Sequence, residues 1–335
     1  MNSLREILDM LYSVASPSGY EKEMAELISS VAVKAGLETR RDALGNLIVH
    51  RKGVGKKCII DAHMDTTGLV ATFVDEDGFV RFDAIGGLSA GDVEGVEVKF
   101  LNGVSGVVSC EGKCDKAKKT INNLYIDIGA KDEKKAREAV LPGTAAVFPG
   151  KVKTLCGGAI SAPYLDNRLG CAILLYTLLN LKKCEYDIYG VFSVQEEVGF
   201  RGAKVAAYDI AADFAIVLDV TDSFDTPSHE GNGEAKLSSG AAIKVMDSGY
   251  IAHPEIVSAL SDVAKKNKIP VCREVISLGG TNGAGIHTSR SGIPTGGISV
   301  PVRYIHTPNE VASLSDAENA ANLLIKTLES HSIIF

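Results

Sequence analysis

The chain has 335 residues, 45% hydrophobic and 23% charged, with a formal net charge of −7. That length accommodates one large α/β domain or two smaller ones, each with its own core. The acidic balance argues against a nucleic-acid partner, which would need a concentrated basic face. No apolar run approaches the roughly 20 residues that span a bilayer, so no membrane partner is expected either.

At the N-terminus, Leu4, Ile7, Leu8, Leu11 and Val14 recur at helical spacing with Arg5, Glu6 and Asp9 between them. This pattern predicts an amphipathic helix rather than a signal peptide, and with it a cytoplasmic protein with reduced thiols. The seven cysteines are scattered. Cys110 and Cys114 form the one close pair, and without a second pair at zinc-ribbon distance they read as ordinary thiols.

A second helix and a Pro17-Ser18-Gly19 turn follow. Then come two β-type runs, "LGNLIVHRKG" (44–53) and "KCIIDAH" (57–63), expected to form a hairpin or adjacent strands. Between about 69 and 158 the texture becomes β-rich and Gly-rich. The short alternating strands "FVRF", "VEVKF" and "GVVSC" appear here, with Asn102-Gly103 as a hairpin signal and one polar helix, "KDEKKAREAV".

From about 159 strands alternate with helices. An apolar helix covers 168–181, "YDIYGVFSV" and "DFAIVLDV" are buried strands, and "PEIVSALSDVAKKN" is a helix. "TGGISVPV" is a strand, and "SDAENAANLLIKTLES" is a closing helix with Ser315 as its cap. The expected fold is therefore α/β: a mostly parallel or mixed sheet sandwiched by helices, made from residues 1–68 plus 159–335. A small β-barrel-like domain, residues 69–158, is inserted into it.

In open α/β sheets, sites form beyond the carboxyl ends of the strands. Metal-ligand residue types stand at those ends in this chain. "CII" is followed by Asp61, His63 and Asp65, and "GVFSV" by Gln195, Glu196 and Glu197. "AIVL" is followed by Asp219 and "ISVPVRY" by His306, while Asp166 precedes the 168–181 helix. Taken singly, each has an ordinary reading as a structural histidine, a solvated glutamate or a helix cap. Together, His63, Asp166, Glu197, Asp219 and His306 suffice for two divalent ions with three protein ligands each, provided one carboxylate bridges.

His63 and Asp65 are two apart, so in extended backbone they share a face, and Asp65 can accept from the imidazole nitrogen not bound to metal. Consecutive Glu196 and Glu197 should point in opposite directions, one ligating and the other serving as general base. The glycine-rich segment around His287 reads either as pocket lining or as a flexible turn. His50, His229, His253 and His331 are not needed for the set.

At these residues the sequence resembles the glutamyl- and TET-type aminopeptidases, dinuclear zinc or cobalt enzymes of which some were once labelled endoglucanase or cellulase M. The resemblance is carried by "SPSGYE" (16–21), "DALGNLI" (42–48), "DAHMD" (61–65), "LDNRLG" (165–170), "QEEVGFRGA" (195–203), "LDVTDS" (218–223) and "ISVPVRYIHTPNE" (298–310). It implies that His63 and Asp219 hold one metal, Glu197 and His306 the other, with Asp166 bridging. It further implies Glu196 as general base, Asp65 as support for His63, peptides as substrates, and dimerisation through the inserted domain, the dimers often building a tetrahedral dodecamer.

The sequence departs from the family pattern at Thr66 and Thr67, where an acidic residue is usual, at Asn282, where Asp is common, and in a shortened "CEGKCDKAKK" stretch. Rival readings are a deacylase or carboxypeptidase of the same clan, or a glycoside hydrolase. The last would need a carboxyl pair flanking one bond, would leave the histidines idle, and lacks a Trp for sugar stacking.

Overall fold

The computed structural model describes residues 3–112, 119–227 and 233–333. Helices α1 (Leu4–Leu11) and α2 (Lys22–Lys34) precede strands β1 (Glu38–Arg41), β2 (Leu47–Arg51) and β3 (Lys57–His63). Six strands follow: β4 (Gly68–Val74), β5 (Val80–Ile85), β6 (Glu97–Phe100), β7 (Ser105–Cys110), β8 (Leu124–Asp127) and β9 (Ala145–Val147). Two small helices interrupt them, α3 (Ala90–Val93) and α4 (Glu133–Ala139). Next come β10 (Lys153–Thr154), β11 (Ala159–Ala162), α5 (Leu165–Asn180), β12 (Asp187–Ser193), α6 (Arg201–Ile210) and β13 (Phe214–Asp222). The chain continues with β14 (Ala241–Met246), α7 (Pro254–Asn267), β15 (Val271–Val275) and α8 (Gly283–Ile286). It closes with β16 (Thr295–Arg303), β17 (Glu310–Ser313) and α9 (Leu314–Ser330).

Most strands outside 68–147 join one mixed sheet in the order β1-β2-β12-β3-β13-β16-β17-β11-β10, with β14 and β15 attached at β16. Its centre, β12, β3, β13 and β16, is parallel. These strands are apolar on both faces because both faces are covered. Alternate residues divide cleanly between the two sides. Ile60, Ile216 and Ile298 pack with α1, α5, α7 and α9 in one core, whereas Ile59, Ala215 and Val217 pack with Ala203, Ala206 and Ile210 of α6 in another. Helix α5 is buried almost all round, which explains its lack of a polar face.

Strands β2 and β3 are neither a hairpin nor neighbours. β12 lies between them, antiparallel to β2 and parallel to β3. Both early strands are buried through most of their length, so each accepts an interior place, and the α5 connection delivers the strand that separates them. The closing helix also differs from expectation. Its N-cap position is Ser313, while Ser315 lies in the first turn with its hydroxyl 2.8 Å from that of Ser313.

Strands β4-β5-β8-β7-β6-β9 form a closed barrel with its own core, including Leu69, Val80, Phe82, Val98, Phe100, Val108 and Ile126. The Asn102-Gly103 turn joins β6 to β7 as expected, with Gly103 at φ +96°. Among the described residues no helix is long and apolar enough to cross a membrane.

Leu174, fully buried in α5, is expected to cost about 2–5 kcal/mol when cut to Ala, whereas Val54→Ala at a 95% exposed site should stay within about 0.5 kcal/mol. Urea midpoints would check this, and equal effects would contradict the assignment of α5 to the core.

Candidate active site

The parallel strands converge on one edge. β3 ends at His63, and Asp65 follows two residues later. Glu196 and Glu197 lie in the turn after β12, Asp219 lies within β13, and His306 is three residues beyond β16. Asp166 enters at the start of α5, where Asp166 and Asn167 have non-helical backbone angles.

Glu310 holds two of these segments together. Its Oε2 accepts from the Asp166 amide and its Oε1 from the His306 amide, both at 2.9 Å. His306 has φ +63°, a conformation that this bond and the 2.8 Å approach of its Nδ1 to the Gly87 carbonyl help to maintain. The barrel thus reaches the site through Gly87.

Asp166 stands between the two imidazoles. Its Oδ1 lies 3.2 Å from His63 Nε2 and its Oδ2 lies 3.3 Å from His306 Nε2. Asp219 Oδ1 is 3.6 Å from His63 Nε2, and Glu197 Oε2 is 3.2 Å from His306 Nε2. These separations bracket the edge of about 3.3 Å that a tetrahedron with 2.0–2.1 Å metal–ligand bonds requires. His63, Glu196 and Asp219, and likewise His63, Asp166 and Glu197, place one potential ligand atom each within 4.8 Å of one another. Asp166 Oδ1 and Glu197 Oε1 are buried without a hydrogen-bond partner among the described residues. Buried acceptors left in this way are costly, and a divalent cation satisfies them. The residues therefore fit metal binding.

Electrostatics agrees. Burial, reinforced by neighbouring carboxylates and opposed by His63, pushes Glu196 well above the usual carboxylate range. Burial raises Glu197 and Asp219 as well. Burial also opposes ionisation of Asp166, but contacts with His306 and His63 hold it well below its ordinary range. Burial would lower both imidazoles, yet the surrounding carboxylates push His306 up to about 12 and raise His63 well above its usual value.

One expectation is corrected by the backbone, and the other is only partly met. β3 ends at His63, yet Asp65, two residues on, stays beside the ring. His63 Nδ1 lies 3.2 Å from the Asp65 backbone carbonyl and 3.5 Å from its Oδ1. The Asp65 carboxylate also accepts from Ser18 Oγ and from the amides of Glu196 and Glu197. The corrected expectation is the alternation of the two glutamates as in a strand, since their consecutive amides both face Asp65. Gln195 at φ +56° turns the chain, so Glu196 approaches His63 and Asp219 while Glu197 approaches His306, both within one cavity.

That cavity is about 550 Å³. Beyond the site residues its wall includes Phe200, Val220, Lys244, Ile276, Leu278 and Thr281. Part of the glycine-rich segment, Gly279 to Thr281, lines it, whereas His287 turns its Nδ1 to the Gly283 carbonyl, 2.8 Å away. Thr66 and Thr67 are buried away from the cavity wall, and Asn282 donates to Asp61 and Ser193. Cys114, His229 and most of the shortened stretch lie outside the described residues. Sequence reasoning missed Glu310, although it ends a quoted motif, because its partners are backbone amides.

Residues 45–323 match the family described as M42 glutamyl aminopeptidase. The chain is similar to a protein of Acetivibrio thermocellus whose name assigns it provisionally as an aminopeptidase. The two share 44% identity over 324 residues, covering 96% of this chain and 98% of that one. Among solved structures it is similar to the aminopeptidase APDkam598 of the archaeon Desulfurococcus kamchatkensis, with a TM-score of 0.93 and 34% identity over 98% of this chain and 94% of that one. It is also similar to the Pyrococcus horikoshii TET1 peptidase, which can assemble into a tetrahedron or a large octahedral shell. Here the TM-score is 0.87 and the identity 29%, over 97% of this chain and 99% of that one.

The raised imidazoles set a pH dependence. The surrounding carboxylates favour the protonated form of His306, and a ligating imidazole must be neutral, so metal uptake should release protons and tighten as pH rises from 6 to 8. Calorimetric zinc titrations in buffers of different ionisation enthalpy measure this. Uptake without proton release would show that the imidazoles are already neutral.

Proposed function

The chain belongs to the M42 glutamyl aminopeptidase family, and from that premise we propose that it removes N-terminal residues from peptides by metal-dependent hydrolysis at this site. The observation that carries the reading is Asp166 placed between His63 and His306, one oxygen toward each. We assign His63 and Asp219 to one divalent ion, Glu197 and His306 to the other, and Asp166 to both, with zinc or cobalt as the ions. Bound there, such ions supply Lewis acidity and bring the pKa of a water toward neutrality.

This assignment uses Glu196 for neither ion, although its carboxylate comes within 4.8 Å of ligand atoms of His63 and Asp219, and it borders the same space. Its role is general base: its carboxylate takes the proton of the attacking water and returns it to the leaving amine. Burial suits it to this, since a carboxyl with a raised pKa holds a proton more readily at neutral pH. The carboxylate-rich wall favours a substrate's cationic α-amino group, which supports exo-acting cleavage. The apolar wall of Phe200, Val220, Ile276 and Leu278 accommodates a side chain. For the whole particle we propose a homo-oligomer, dimer or dodecamer, joined through the barrel, where Phe73, Val107 and Leu141 are exposed.

Glu196→Gln is expected to retain two ions per chain while losing about 10²–10⁴-fold in turnover of a leucine anilide. Asp166→Ala should lose both ions by metal analysis. A Glu196→Gln variant with full turnover would remove Glu196 from the base role. Hydrolysis of N-acylated amino acids in place of Leu-, Glu- and Lys-anilides would reassign the enzyme as a deacylase.

A further inference from the structure

Two N-terminal motifs take no part in the chemistry above: Ser16–Glu21 and Asp42–Ile48. Both reach the turn after β12 that carries Glu196 and Glu197. Four consecutive amides of that turn donate to side-chain oxygens from three separate early segments. Val194 donates to Asn46 Oδ1 (2.9 Å) and Gln195 to Glu21 Oε1 (3.2 Å). Glu196 and Glu197 donate to Asp65 Oδ1 (2.9 Å) and Oδ2 (3.2 Å).

Each acceptor is itself fixed. Ser18 Oγ donates to Asp65 Oδ2 at 2.7 Å, and the Gly19 amide donates to Glu21 Oε1 at 2.8 Å. Asp42 Oδ1 accepts from the amides of Leu44, Gly45 and Asn46, and Asn46 Nδ2 donates to Asp42 and to the Gly202 carbonyl. Arg168 bonds Ser16 Oγ and the Met64 carbonyl, tying the first segment to the third. Glu21, Asn46 and Asp65 are all buried.

Burying two carboxylates to receive backbone amides is expensive unless the bonds return the cost, and bonds to charged acceptors are the strong ones. The segment they grip includes Gln195 in the left-handed region, a conformation that persists only where its surroundings impose it. The two glutamates depend on this grip unequally. In the ligand assignment above, Glu197 is also held by its ion, whereas Glu196 is not, so its aim leans more heavily on its backbone.

We propose that Glu21 is a positioning residue: through the Gln195 amide, and together with Asp65, it orients the Glu196 carboxylate, so that it contributes to turnover rather than to substrate or metal affinity. This rests on the reading of Glu196 as general base. A grip that served stability alone would act on folding and metal content, not on turnover per bound metal.

The test uses the full-length chain loaded with zinc or cobalt and a leucine anilide, with Glu196→Gln in parallel. Glu21→Ala is expected to lower kcat about 10- to 100-fold with KM and metal content little changed, the size of penalty an ångström-scale misalignment carries. Glu21→Gln keeps an oxygen that can accept both amides and should recover kcat to within about threefold of the parent. If Glu21→Ala does not fold, Glu21→Asp, one methylene too short to keep both bonds, should show the same isolated kcat loss.

An unchanged kcat in Glu21→Ala or Glu21→Asp would overturn the proposal. So would a loss that merely tracks metal content or folded fraction, or a Glu21→Gln variant no better than Glu21→Ala. An active Glu196→Gln enzyme would instead strike the base reading itself, whatever the Glu21 variants do.

Discussion

The structure turns on an excess of buried negative charge. Asp65, Asp166, Glu196, Glu197, Asp219 and Glu310 crowd around two imidazoles at one sheet edge. Two like charges 4 Å apart at an effective dielectric near 20 repel by about 4 kcal/mol, so such a cluster needs cations. Without metal the two imidazoles, whose protonated forms these carboxylates favour, are the only nearby cations turned into the cluster among the described residues, and the others are committed elsewhere. Arg168 is turned to the carbonyls of Met64 and Val14 and to Ser16, and Lys244, although it lines the cavity, is paired with Glu274 and Asp247. Two imidazoles against six carboxyls leave much of the counter-charge to be supplied from solution, and a parallel sheet covered on both faces gives the rigidity that holds the carboxylates together.

The barrel is bound into this arrangement rather than merely appended. The Gly87 carbonyl meets His306 Nδ1, and a side chain at Gly86 would run into Thr67 and Glu197. The hydroxyl of Tyr164, just before α5, accepts from the Phe148 amide, and the two rings stack. An imidazole ligand is oriented by whatever holds its second nitrogen, so the connection after β5 helps aim His306. Anything that displaced this connection would be felt first at the side of the site formed by His306 and Glu197.

Much of this was legible in the sequence, because strand ends in a parallel sheet share an edge and the ligand-type residues sit at those ends. His63, Asp166, Glu196, Glu197, Asp219 and His306 do converge. What escaped was set by tertiary structure. β12 separates β2 from β3 because pairing partners are chosen by burial on both faces, not by nearness in the chain. The alternation assigned to Glu196–Glu197 presumed extended backbone, whereas Gln195 turns the chain just before them. The cap at Ser313 rather than Ser315 is the ordinary imprecision of helix ends. Glu21 and Glu310 were silent because they bond to amides 174 and 144 residues away, which leave no compositional trace.

The departures from the family pattern can be read in the same terms. Asn282 is wholly buried, and its amide nitrogen donates to Asp61, whose carboxyl burial pushes up to about 7, and to Ser193. A carboxylate at 282 would face Asp61 without that donor, so the residue at 282 is coupled to the residue at 61 in the sheet interior. Thr66 and Thr67 are likewise packed in the passage from β3 to the barrel. These positions are occupied by internal complementarity and lie outside the cavity wall, which is formed instead by residues such as Phe200, Val220, Ile276, Leu278 and the already paired Lys244.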